Sequence, residues 1–139
     1  MKKFRYAFVF CMALAALLLA GCGGQAAVEK PLDEIRAEIE SAVELPAMLD
    51  LKGADLYNFV GVSEEDFDEA VALVPEEAIS GEMLFLFKAK DEAAAERIAK
   101  QVDTYFTSAK NQMRDYIPSE YAKMEKGTVI KSGKYVWLA

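Results

Sequence analysis

The stretch Glu82–Lys90 (EMLFLFKAK) restricts the fold more than any other part of the chain. Met83, Phe85 and Phe87 alternate with Leu84 and Leu86, so a strand here carries apolar side chains on both faces. Such a strand has to lie inside a sheet, and each face of that sheet has to be covered by another layer. The rest of the chain must supply two covers and the neighbouring strands.

The periodicity names both covers. After Asp91, apolar residues at Ala94, Ile98, Val102, Tyr105 with Phe106, Ala109 and Met113 recur every three or four positions. They predict one long helix running to about Tyr116 and stopped by Pro118. Glu96 and Lys100 stand at i,i+4 spacing on its exposed side, where they would pair. The second cover is predicted from Leu32, Ile35, Ile39 and Val43, with Pro31, Asp33 and Glu34 suited to a first turn and Pro46 closing the helix.

The strands follow from what remains. Ala70–Val74 fits a helix or a buried strand; the strand is preferred because Glu82–Lys90 needs a partner, with Glu76–Gly81 as the hairpin loop. Thr128–Ile130 and Tyr135–Leu138 read as a hairpin across Ser132-Gly133. In it Tyr135 and Trp137 share one face, and Val136 and Leu138 the other. Met48, Leu49 and Leu51 read as a connection, Ala54–Phe59 as a short helical piece ending at Gly61, and Ser63 with Asp66 as a capping box opening a turn of helix. Ser119–Glu125 reads as another short helix. The expected fold is α+β: a mainly antiparallel sheet of about four strands packed against the long helix, with the N-terminal helix on the other side.

Ahead of this domain the chemistry changes. Lys2, Lys3 and Arg5 precede an apolar run from Ala7 to Ala20. Those fourteen residues fall short of the ~18–20 that a permanent membrane helix needs. The run ends in Leu19-Ala20-Gly21-Cys22, which resembles the lipobox of bacterial lipoproteins. The resemblance implies cleavage between Gly21 and Cys22, a diacylglyceryl group on the Cys22 sulfur, and attachment to the extracytoplasmic face of the cell membrane. Two acyl chains meet the two-anchor condition for stable attachment. An uncleaved helical anchor and a plain secretory signal are the alternatives. The expected division is therefore 1–21 signal peptide, 22–30 lipidated tether and 31–139 one folded domain.

Loss of Lys2, Lys3 and Arg5 takes the net charge from −7 to −10. Such a body repels nucleic acid and anionic lipid, so no nucleic-acid partner is expected and the lipid must hold the protein at the membrane. Of the two cysteines, Cys11 leaves with the signal and Cys22 is consumed by lipid. The folded part then offers no thiol, and the chain has no histidine. Disulfides, thiolate sites and the usual neutral-pH general base are gone, so no cofactor, metal site or catalytic constellation is expected.

Three features identify a family. Glu82-Met83-Leu84-Phe85-Leu86-Phe87-Lys88-Ala89-Lys90-Asp91 stands before the long helix, Tyr116-Ile117-Pro118 follows it, and Gly133-Lys134-Tyr135-Val136 lies in the final hairpin. From Leu51 onward this order is similar to the family numbered 4358 among domains of unknown function. The resemblance implies a small lipoprotein of the kind found mostly in Gram-positive bacteria, and it supplies no activity and no functional residue. Members usually continue past this last strand into another helix, whereas this chain stops at Ala139. The expectation is an incomplete sequence; otherwise Tyr135, Trp137 and Leu138 would form an uncovered interaction surface.

Other candidates weigh less. The acidic run Glu64, Glu65, Asp66, Asp68 and Glu69 lacks the alternation and central glycine of a calcium loop and reads as a solvated helix start. Lys131-Ser132-Gly133 faintly resembles a strand of penicillin-binding enzymes, but without a Ser-x-x-Lys companion it reads as a hairpin turn. Tyr105, Tyr116, Tyr121, Tyr135 and Trp137 read as core and edge packing before a groove for glycan or peptide. The function expected is a non-enzymatic, membrane-anchored domain binding a protein or cell-wall partner. The alternative is a carboxylate-dependent hydrolase of cell-wall polymer, which would need two acids converging in one cleft.

Overall fold

A computed structural model describes residues 30–138. The expected signal peptide, the expected cleavage position at Gly21 and Cys22, and nearly all of the expected tether lie outside the described residues. The described residues run α1 (Leu32–Ala42), β1 (Met48–Asp50), α2 (Gly53–Val60), a 3₁₀ turn (Glu64–Asp66), β2 (Phe67–Pro75), β3 (Leu84–Ala89), α3 (Glu92–Tyr116), α4 (Pro118–Met124), β4 (Val129–Ser132) and β5 (Tyr135–Leu138). The five strands form one antiparallel sheet in the order β1-β2-β3-β5-β4.

β3 is the middle strand, and its two faces part as the alternation requires. Phe85, Phe87 and Ala89 enter a core with Ala94, Ala95, Ile98, Val102 and Phe106 of α3, with Leu56 and Val60 of α2, and with Val136 and Leu138 of β5. Leu84 and Leu86 enter a smaller layer with Val71 and Leu73 of β2 and Leu32 of α1, bordered by Ile35, Ile39, Tyr135 and Trp137. The fold class and both covers are thus as expected.

α3 begins where the Asp91 carboxylate accepts from the Ala94 amide at 2.7 Å, a helix N-cap. Its 25 residues span about 37 Å. Gly61 closes α2 with φ 83°, a left-handed conformation in which a side chain would be strained. Gly133 has φ 57° at the first position of the two-residue turn between β4 and β5, the place where such hairpins need a positive φ.

Local details depart from the expectation. Met48–Asp50 is a fifth strand rather than a connection, pairing with Leu73–Pro75 along the edge of β2. β2 starts at Phe67, not Ala70, because the backbone absorbs one extra residue between Phe67 and Glu69. That bulge lets Phe67 and Ala70 face the main core while Glu69 faces α1. Ser63 does open a short turn, but its hydroxyl accepts from Glu65, and the turn is 3₁₀. α1 ends at Ala42, before Pro46, since Val43 is already extended; its side chain is left exposed instead of completing the stripe. Glu96 pairs with Lys131 on β4 at 3.1 Å rather than with Lys100, because α3 crosses that strand.

Truncating Phe85 to Ala opens a cavity in the main core and is expected to cost about 3–5 kcal/mol. Tyr116→Ala, at a site 83% exposed, should stay within about 0.5 kcal/mol of wild type. Urea unfolding of the two variants checks the contrast.

Candidate functional site

The helix stripe that packs on the sheet leaves a neighbouring stripe of α3 facing α2. Arg97, Lys100, Gln101, Thr104, Tyr105 and Ser108 fall on it at spacings of three, four and one, so they line one side of the helix. The end of α2, from Tyr57 to Gly61, forms the opposite wall. Between them lies an open groove of about 580 Å³. Tyr57 and Phe59 are 60% and 58% exposed, large rings left in water because Leu56 and Val60 take the buried side of their short helix. Tyr105 sits lower, its ring edge-on to Phe85 with centroids 5.9 Å apart. Burial pushes its phenol above the ordinary value, so at neutral pH it keeps its proton.

The polar groups of this groove are unevenly engaged. Arg97 donates to Asp66 at 2.5 Å. Lys100 takes part in no ion pair among the described residues. The Thr104 hydroxyl bonds back to the Lys100 carbonyl. Gln101 Oε1 is buried with no hydrogen-bond partner, the one such side-chain atom among the described residues. A buried amide oxygen without a donor costs free energy, which is recovered where the side chain turns outward to meet one. No carboxylate lines the groove.

Acids gather elsewhere. Asp33, Asp50, Asp68 and Glu69 line a recess of about 310 Å³ beside α1, together with Arg36 and Lys52. Two of these acids, Asp50 and Glu69, are engaged structurally. Asp50 takes Arg36 at 2.7 Å and Lys52 at 3.1 Å. Glu69 accepts the Leu32 amide at 2.8 Å, which gives α1 the cap that Pro31 cannot provide, and faces Lys88 at 3.7 Å. Glu64, Glu65 and Asp66 make the 3₁₀ turn, and Asp66 holds Arg97. Among the described residues no three acids gather as metal ligands would.

A third recess, about 390 Å³ and mostly apolar, opens between the end of α1, the start of β3 and α4, with Val43, Met83, Phe106, Met124 and Leu138 on its walls. At its rim Lys123 joins Glu82 at 3.2 Å and Glu120 at 2.8 Å, and Glu120 accepts the Gly81 amide at 3.0 Å. The Ser80 hydroxyl bonds Glu82, and with Lys123 it holds that carboxyl below the usual carboxylate range.

The structure places Tyr135 and Trp137 half-buried at the margin of the smaller layer, not in any of these recesses. α1 lies over β2 and β3, and the row Trp137–Ile130 continues that face onto β5 and β4, where Ile130 is 42% exposed. Of the five aromatics singled out in the sequence, only Tyr105 lines the α2–α3 groove. Tyr57, Phe59 and Gln101 were missed. Their signal was two aromatics in a helix too short to bury more than Leu56 and Val60.

Residues 41–139 match the family described as Domain of unknown function (DUF4358). The chain belongs to this family. No curated protein and no solved structure matches it. The DUF4358 segment contains the whole α2–α3 groove and all of the apolar recess except Ile39, and it begins after most of α1. Among the described residues no helix is long and apolar enough to cross a membrane.

Two predictions come from the ion pairs. A double-mutant cycle between Arg36 and Asp50 is expected to give a coupling of about 1 kcal/mol, read from urea midpoints, because the pair is partly buried and fastens α1 to β1. Glu82 has a depressed folded value, so its contribution is present above an unfolded value of about 4.3 and is lost as pH falls through the folded one. Glu82→Gln should therefore lose less stability than wild type on acidification from about pH 5 to about pH 3.

Proposed function

We propose that the chain is a lipid-tethered, non-enzymatic binding domain of the cell envelope. In this reading Cys22 carries a diacylglyceryl anchor, and the α2–α3 groove takes a protein or cell-wall component. The observation that carries the binding half is the groove lining: two rings more than half exposed, an amide oxygen lacking a donor, and no carboxylate. Such a surface offers contact area and hydrogen bonds without an acid–base pair. The anchor half rests on Leu19-Ala20-Gly21-Cys22 behind its basic, apolar leader. A carboxylate-dependent hydrolase is the weaker reading, since Asp50 and Glu69 in the acid-lined recess are engaged in holding α1.

Two measurements test this. In a bacterial host the native chain should partition with membranes into the detergent phase and have the mass of a chain beginning at an acylated Cys22, while Cys22→Ala should appear in the soluble fraction. A free thiol, or a retained leader, would reject the anchor. A photo-crosslinker at Phe59 should capture an envelope component that one at the more exposed Tyr116 does not. Equal capture at both positions would reject the groove.

A further inference from the structure

We propose that the α2–α3 groove binds an anionic saccharide, a sugar chain bearing carboxylate or phosphate; this rests on the reading of that groove as the binding site. Three properties of its walls select the chemistry.

The first is the combination of exposed rings with planar and hydroxyl polar groups. Tyr57 and Phe59 are each more than half exposed, and Asn58, Gln101 and Ser108 line the same groove. A pyranose ring has C–H faces that lie flat on aromatic rings and an equator of hydroxyls that both donate and accept. Gln101 lines the groove with its Oε1 turned inward and unpartnered, and a turn of that side chain would offer the oxygen to a sugar hydroxyl.

The second is the charge. On a chain with net charge −7, this groove carries Arg97 and Lys100 and no acid in its lining. Arg97 already has Asp66, so Lys100 is the cation left to meet an anion on the ligand. Its intended helix neighbour Glu96 is drawn across to Lys131, which keeps Lys100 free.

The third is the backbone of the walls. Both walls are helices, so neither offers an open strand edge for an extended peptide. A helical peptide would want an apolar trough, and here Arg97, Lys100, Gln101 and Thr104 form the α3 wall. The groove therefore suits a ligand recognised through ring faces and hydroxyls rather than through main-chain pairing.

The test uses the full chain in detergent micelles on an array carrying uronate, phosphorylated and matched neutral saccharides, with a hexaglutamate peptide as the charge control. Wild type is expected to be retained on the acidic saccharides at least tenfold more than on the neutral ones or on hexaglutamate. Tyr57→Ala and Lys100→Glu, both at exposed positions, should each reduce that retention at least tenfold while leaving the urea midpoint unchanged. Equal retention on hexaglutamate would make the site a general anion or acidic-peptide site and overturn the proposal. So would equal retention on neutral sugars, retention indifferent to both substitutions, or none on any saccharide. Crosslinking through Phe59 with no saccharide retained would remove the saccharide and leave the binding-domain reading in place.

Discussion

The burial of both faces of β3 is the constraint from which the architecture follows. Phe85 and Phe87 need a thick cover, and the 25-residue α3 supplies it, with Ala94, Ala95, Ile98, Val102 and Phe106 buried on the side that packs there. Leu84 and Leu86 need only a thin one, and the 11-residue α1 supplies it with Leu32, Ile35 and Ile39. Each fully buried Phe, Leu or Ile contributes roughly 1.5–3 kcal/mol relative to exposure, so the main core outweighs the smaller layer several times over. The fold is accordingly one firm layer pair with a lighter plate on the back.

That asymmetry explains where polar chemistry is found. α1 does not bury enough apolar surface to hold itself down, and it recruits Arg36, Asp50 and Glu69 to finish the attachment. The bulge at Asp68 is what makes Glu69 available, because without the extra residue the Phe67 that packs on Phe87 would dictate the opposite face for it. On the front, α2 is too short to share the load of α3 along its length. The gap left beside it is the groove.

Much of this was legible in the residues. Alternation in Glu82–Lys90 and the stripe from Ala94 to Met113 define β3 and α3, because each is a strong local period with a clear stop. The last hairpin, by contrast, turns one residue later than Ser132-Gly133, at Gly133 and Lys134. β1 was not legible: three residues are too few for a period, and its pairing with Leu73–Pro75 is a tertiary fact. The groove was still less so. It depends on which face α2 buries and on Glu96 choosing Lys131 over its helix neighbour, and neither is encoded within a short window. The alternation that separates Tyr135 and Trp137 from Val136 and Leu138 sets these two aromatics against the back layer.

The amide of Leu32 is bonded to Glu69 and its side chain is fully packed against Val71 and Leu73. Any tension arriving at Lys30 from the preceding residues therefore enters the sheet at one point, the start of the lightest layer. Lifting α1 from its first turn would break the Glu69 bond and bare Val71, Leu73, Leu84 and Leu86. Seating of this back layer and the firmness of the strand beneath it are therefore one property rather than two, since Leu84 and Leu86 belong to β3.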